Sequence, residues 1–152
     1  MKIVINTCFG GFSLSGAALR RIAELQGREC YFFNYQIRES RYIPITEDAN
    51  ATLGFTAFDI PNPNEIFGKQ DWYLMSAEER EVNSTLYKKH IIDNRPEDRT
   101  DPLLIQVIEE LGSKGNGRHA KLSVIEIPDD VEWEIDEYDG VETVREVHRS
   151  WS

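Results

Sequence analysis

The chain opens with an apolar run, followed by a polar turn and then an amphipathic segment. Residues 2–8 are rich in β-branched side chains and apolar at successive positions, which is typical of a strand buried on both faces. A glycine pair and two serines follow, and apolar residues then recur at helical spacing until Gly27. The pattern predicts a strand over 2–8 and a helix over about 15–26.

A second apolar run at 30–33 predicts a strand that lies parallel to the first through a right-handed crossover. Residues 34–75 combine many turn formers with scattered aromatic side chains. This segment is predicted to be a long irregular insertion or lid. Its rings either pack on the sheet, which is the favoured interpretation, or stack against a ligand.

Ser76 and Glu79 have the spacing of a capping box and predict the start of a short helix. Residues 85–93 are ambiguous. A strand over 87–92 is favoured, and continuation of the preceding helix is the alternative.

The last third begins with a helix that starts at Asp101 and ends at Gly112. A strand over 121–127 follows, and residues 131–136 alternate strictly between apolar and acidic side chains, as in a half-exposed strand. Asp139, with a glutamate three residues later, predicts the cap of a closing helix that runs to Trp151.

Together these elements predict one three-layer α/β domain over residues 1–152. Its sheet is mostly parallel, with the first strand in the interior, an antiparallel edge pair formed by 121–127 and 131–136, and the irregular insertion at 34–75.

Composition narrows the functional classes. The chain has 152 residues, 40% of them hydrophobic, and a net charge of −10, which argues against a nucleic-acid binder that works by neutralising phosphates. No stretch resembles a signal peptide or a membrane span. Cys8 and Cys30 offer no disulfide framework. We expect a soluble cytoplasmic protein without nucleic-acid or membrane partners, and a homo-oligomer is left open.

Several segments resemble a family of small bacteriophage and prophage proteins that carry no assigned function. They are MKIVIN at 1–6, CFGGFSLS at 8–15, AFDIPNP at 57–63, RTDP at 99–102, EIPDDVEWEI at 126–135 and EYDG at 137–140. The resemblance covers both ends of the chain. It implies a viral or prophage origin, and therefore the host cytoplasm, and it brings no catalytic motif.

The opening turn is the strongest candidate for chemistry. Backbone N–H groups at a helix start suit an anionic ligand, although this turn lacks the later glycine and lysine of a P-loop. A tight turn with no ligand is the alternative. The candidate ligand-binding residues are Asn6, Phe9, Gly10, Gly11, Phe12, Ser13, Ser15, Arg95 and Arg99.

The two arginines form the best cationic pair for a phosphate or a planar group. They are equally well interpreted as surface residues that balance acidic neighbours. With a phosphate-bearing ligand at the turn, substitution of either arginine is expected to weaken binding and to alter stability little. The loop with Lys114, Arg118 and His119 is a second cationic candidate.

Other constellations favour ordinary structural roles. A phosphatase loop needs an arginine six residues after Cys8, where Leu14 stands, so a structural thiol is favoured. The acidic positions of 131–136 could hold a hard cation or act as acid and base, but a solvated face is favoured and no tight metal site is predicted. His90, His119 and His148 lack zinc-ligand spacing. We assign no catalytic residue, metal or cofactor.

Three functional hypotheses follow. The first is a protein that sequesters a nucleotide-derived, phosphate-bearing ligand, such as a host-defence signal, without turnover. The second is a small nucleotide-processing enzyme that uses acidic residues. The third is an acidic interaction module that acts on a basic host protein.

Overall fold

A computed structural model describes residues 1–46, 54–67 and 72–147. The strands in this part of the chain are Lys2–Asn6 (β1), Tyr31–Gln36 (β2), Arg41–Pro44 (β3), Thr56–Phe58 (β4), Leu122–Glu126 (β5), Trp133–Tyr138 (β6) and Val141–Glu146 (β7). The α-helices are Gly16–Leu25 (α1), Pro63–Phe67 (α2), Ala77–His90 (α3) and Pro102–Leu111 (α4). Short 3-10 helices cover Trp72–Leu74 and Gly112–Gly115.

Every strand pairing in the described ranges is antiparallel, so the predicted mostly parallel, three-layer sheet is wrong. The strands form three small sheets, with the orders β1-β5, β3-β2-β4 and β6-β7. β1 is buried because α4 and β7 pack near it, while β5 pairs along one edge from Lys2↔Glu126 to Asn6↔Leu122. Burial on both faces therefore arises here without parallel neighbours, and the predicted interior position of the first strand in its sheet is wrong, because β1 is one of two strands in its sheet in the described ranges.

The chain divides into two compact units. The first unit consists of Met1–Ala18 and Asn94–Ser152, and the second unit of Leu19–Asp93. The organisation as one domain stays a prediction.

In the second unit, β2 pairs antiparallel with β3 and β4 rather than with β1, so the predicted parallel crossover is wrong. The expected irregular insertion contains regular structure, namely β3, β4 and α2. Phe33, Phe58 and Phe67 form a buried aromatic core, against which Tyr42 and Tyr87 pack. These rings therefore contribute to packing, as favoured.

The predicted cap of α3 is confirmed, because the Ser76 side chain accepts a hydrogen bond from the Glu79 N–H. The helix continues to His90, so the favoured strand over 87–92 is wrong and the helical alternative is right. Lys88 and Lys89 lie in the last turn, where their charges interact favourably with the helix dipole.

In the first unit, α4 begins and ends as predicted. The Asp101 side chain accepts a hydrogen bond from the Leu103 N–H at 3.0 Å, and Gly112 is the C-cap. The helix buries Leu104, Val107 and Ile108.

The predicted closing helix is wrong, since residues 141–146 form β7. Asp139 and Gly140 have φ values of 50° and 87° and join Tyr138 to its partner Val141. An Asp-Gly pair with two positive φ values is the preferred type I′ turn of a two-residue hairpin. The antiparallel pair is therefore β6 with β7, not 121–127 with 131–136. His148 and Trp151 lie outside the described residues.

Within the described ranges, no helix has both the length and the apolar character needed to cross a membrane.

Candidate functional site

The opening turn, residues 8–15, is packed against the β6-β7 turn in the first unit. Gly10 and Gly11 have φ values of 117° and 90°, which favour glycine. A Cβ atom on Gly140 would lie 2.8 Å from the Gly10 nitrogen and would also clash with the Gly11 nitrogen. The two turns therefore meet backbone to backbone, and that meeting requires glycine at position 140.

The 113–121 loop borders the same turn. A Cβ on Gly10 would lie 2.5 Å from the His119 Cβ, and a Cβ on Gly117 would clash with Ser13. The Gly117 N–H donates to the Ser13 carbonyl at 2.9 Å. His119, one of the three residues of the proposed cationic loop, is exposed and lies beside Gly10.

The Ser15 hydroxyl serves the start of α1. It accepts a hydrogen bond from the Ala18 N–H at 3.1 Å and donates to the Lys114 carbonyl at 2.6 Å. One orphan N–H of the helix start, which was predicted to face a ligand, is thereby satisfied within the protein.

Asn6 is fully buried, and its side chain links three segments. Nδ2 donates to the carbonyls of Cys8 and Gly140, both at 2.7 Å. Oδ1 accepts from the N–H groups of Lys121 at 2.8 Å and Cys8 at 3.4 Å. Because a buried amide is held by its partners, Asn6 fixes the opening turn against the hairpin turn.

Arg99 lies inside the first unit rather than on its surface, with a side chain only 13% exposed. Nη1 and Nη2 donate to the two carboxylate oxygens of Glu142 at 2.7 and 3.1 Å. Nε donates to the Pro96 carbonyl at 2.9 Å, and the guanidinium lies 3.7 Å from the ring centre of buried Phe12. The interpretation of Arg99 as a surface arginine is therefore wrong, and the reason for expecting its substitution to alter stability little no longer applies.

The sequence reasoning missed Glu142 as a partner. It was interpreted as the acidic residue of a helix cap, whereas its carboxylate also accepts the Asn6 N–H at 2.8 Å. The sequence signal for this position is Asp139-Gly140, a pair that is typical of a two-residue hairpin turn. It places Glu142 on the same face of β7 as Val144.

Arg95 is exposed and lies along the opening turn. Its Nε donates to the Phe12 carbonyl at 3.1 Å, and its Nη2 lies 2.8 Å from the position that a Cβ on Gly11 would occupy. The structure thus brings both predicted arginines to the opening turn, although the parallel sheet that was expected to do so is not present.

Negative charge is concentrated in the β6-β7 hairpin and in the segment that leads into it. Residues 126–146 contain ten acidic residues and one arginine, a net charge of −9 against −10 for the whole chain. Eight of the ten are exposed, Glu134 pairs with Arg145, and Glu142 is buried with Arg99. The rest of the chain therefore has a net charge of only −1.

In the described ranges, no group of three or more His, Cys, Asp or Glu side chains is arranged so that it could hold a metal ion. In the second unit, His90 Nδ1 lies 2.8 Å from an Asp59 carboxylate oxygen. Cys8 and Cys30, both within the described residues, do not form a disulfide.

Comparison with protein-family models, with curated proteins and with solved structures finds no significant match.

Proposed function

We propose that the protein is an interaction module whose acidic β6-β7 hairpin binds a basic segment of another protein. The observation that carries this proposal is the concentration of nearly all the net charge in residues 126–146. Negative charges held close together make the local electrostatic potential strongly negative. That potential attracts a basic partner over about 8–10 Å at physiological salt and speeds its association.

The buried contacts behind the hairpin support the proposal. Glu142, on the inner face, is held by Arg99 and by the Asn6 N–H, and Gly140 is held by Asn6 Nδ2. These contacts fasten the hairpin to β1 and the opening turn. A fixed carboxylate array loses less conformational entropy on binding than a flexible acidic tail would lose.

The resemblance to phage proteins supports a host protein in the cytoplasm as the target. Proteins with basic surfaces, such as those that bind nucleic acids, have the matching chemistry.

The test measures the affinity of a fluorescent basic peptide for wild type and for the triple variant Asp136→Asn, Glu137→Gln, Asp139→Asn. Asparagine is well tolerated at position 139, because the first position of a type I′ turn favours Asn or Asp. The control variant Glu39→Gln, Glu81→Gln, Glu97→Gln removes three exposed charges elsewhere and has the same net charge.

We expect the hairpin variant to lose at least tenfold in affinity at 50 mM salt, and the control to lose much less. Equal losses in the two variants would mean unspecific attraction and would contradict the proposal.

A second candidate is the phosphate-bearing ligand at the opening turn. Arg95, which lies along Gly11 and Phe12, and His119, which lies beside Gly10, favour it. Arg99 is already engaged by Glu142, so Arg95 would make the phosphate contact. Loss of one charge-assisted contact should weaken binding about ten- to a hundredfold.

Calorimetric titration of wild type and Arg95→Ala with a panel of nucleotides tests this candidate, with Arg145→Ala as the control. Binding of no nucleotide by the wild type, or equal affinity in all three proteins, would remove it.

A further inference from the structure

The outward face of the β6-β7 hairpin is not uniformly acidic at its turn. Residues directly opposite each other in an antiparallel pair share a face. The register places Asp136 opposite Thr143 and Tyr138 opposite Val141, so these four side chains lie together on one face. Phe9, from the opening turn, lines the same cleft, which has a volume of about 190 Å³.

Two aromatic side chains at this cleft are unusually exposed. Phe9 is 63% exposed and Tyr138 is 80% exposed. Asp136, on the same face as Tyr138, and its neighbour Glu137, on the opposite face, also line the cleft, and both residues are exposed. The cleft therefore combines ring surfaces with negative charge.

This combination selects the chemistry of the occupant. Aromatic faces attract cations, and arginine in particular stacks on rings while it donates bidentate hydrogen bonds to a carboxylate. A phosphate would be repelled by the two carboxylates. The volume also suits one side chain better than a drug-sized ligand, whose pockets usually measure about 300–1,000 Å³.

The cleft has a fixed base. Phe9 immediately precedes Gly10, whose backbone nitrogen would lie 2.8 Å from a Cβ on Gly140. The close approach of the two turns thus sets the position of Phe9 relative to Tyr138 and Val141. A preformed aromatic wall binds a cation without the cost of ordering the rings first.

We propose that this cleft receives an arginine side chain of the basic partner, stacked on Phe9 or Tyr138 and paired with Asp136. The proposal rests on the proposed function of the hairpin, and it specifies arginine rather than positive charge in general as the feature recognised.

The test compares three labelled peptides, (Gly-Arg)4, (Gly-Lys)4 and (Gly-citrulline)4, by fluorescence anisotropy. We expect wild type to prefer the arginine peptide over the lysine peptide and to bind the uncharged citrulline peptide poorly. Phe9→Ala and Tyr138→Ala should each weaken arginine-peptide binding about three- to thirtyfold and reduce the preference over lysine. Tyr138→Phe should retain both. Tyr73→Ala, at an aromatic residue 86% exposed in the second unit, is the control and should change neither.

The failure of the cleft and the failure of the docking function give different results. If the aromatic variants bind like wild type while the Asp136, Glu137, Asp139 variant loses affinity, charge docking stands and the cleft proposal is overturned. If no basic peptide binds, docking fails, and titration with ethylguanidinium tests the cleft alone. Amide NMR shifts confined to 9–10 and 136–143, and lost in Tyr138→Ala, would support the cleft. Unchanged spectra would overturn it.

Discussion

The first unit adds buried polar contacts to its apolar core, whereas the buried cluster of the second unit is built from aromatic rings. In the first unit, Arg99 and Glu142 form a buried ion pair, and Asn6 makes hydrogen bonds to three segments. In the second unit, Phe58 is fully buried and its ring contacts those of Phe33, Tyr42, Phe67 and Tyr87.

The difference predicts two kinds of response to mutation. A polar group with directional partners leaves an unsatisfied charge or donor when one partner is removed, and that penalty is large. Rings that pack without direction lose contacts in proportion to the volume removed. Removal of one polar partner in the first unit should therefore cost more stability than a conservative reduction of ring volume in the second unit.

The largest effect of removing one polar partner is expected for Arg99→Met, which leaves the Glu142 carboxylate buried without its ion-pair partner. The free energy of unfolding should fall by about 3–5 kcal/mol, measured by urea denaturation. Arg145→Met is the control, because Arg145 pairs with Glu134 on an exposed face and should cost at most about 1 kcal/mol.

A double-mutant cycle sharpens this prediction. Adding Glu142→Leu to Arg99→Met removes the unpaired charge and should recover much of the lost stability. If Arg99→Met costs no more than Arg145→Met, the ion pair does not organise the first unit.

The second prediction concerns Gly140→Ala, where the new Cβ would meet the backbone nitrogens of the opening turn. Gly27→Ala is a matched control, because Gly27 also has a positive φ, 70°, but has nothing within 4 Å of the added carbon. The control should cost about 1–2 kcal/mol from backbone strain alone. Gly140→Ala should cost about 1–3 kcal/mol more, because backbone atoms must move.

Equal losses of thermal stability in the two glycine variants would show that the turns can separate without penalty. The assignment of Gly140 as the contact between the hairpin and the opening turn would then be wrong.

A smaller effect is expected for Phe58→Leu in the second unit. Leucine keeps the site apolar and leaves no donor or acceptor unpaired, so the cost should be about 1–2 kcal/mol even though Phe58 is fully buried. Phe58→Ala, which removes most of the ring volume, should cost about 3–5 kcal/mol. A cost for Phe58→Leu as large as that of Arg99→Met would remove the contrast between the units.

The sequence predicted best those elements whose signals are local. Ser76 with Glu79, and Asp101 with Gly112, place their cap groups within a few residues of the N–H and carbonyl groups that need them. Short-range hydrogen bonds of this kind are the same in any tertiary context. The corresponding helices therefore begin where the pattern indicates.

The sequence predicted worst those elements decided by distant partners. Asp139 and Glu142 fit a capping box as well as they fit a hairpin, and the pairing of β7 with β6 decides between the two. Arg99 and Glu142 lie 43 residues apart, so no local pattern links them. Burial of β1 likewise depends on α4 and β7 rather than on parallel neighbours.

The smallest effect concerns alkaline pH and the second unit. Burial raises the pKa of Tyr42 to about 12, with smaller contributions from Tyr87 and Tyr35, and burial also raises the pKa of Tyr87, to which Asp93 contributes. Well below pH 10 these phenols are neutral in the folded and the unfolded chain, so they add no pH dependence there. Between pH 10 and 12 the unfolded chain releases protons that the folded second unit retains, and stability falls as pH rises.

We expect a loss on the order of 1 kcal/mol across this window, because Tyr42 is only partly buried. Urea denaturation at pH 9, 10, 11 and 12 measures the slope, and tyrosinate absorbance follows the ionisation. Tyr42→Phe removes one of the two titrating groups and should reduce the slope, whereas Tyr138→Phe, at an exposed position of the first unit, should leave it unchanged. An unchanged slope in Tyr42→Phe would mean that the second unit opens before Tyr42 ionises, and its aromatic core would then be looser than its packing indicates.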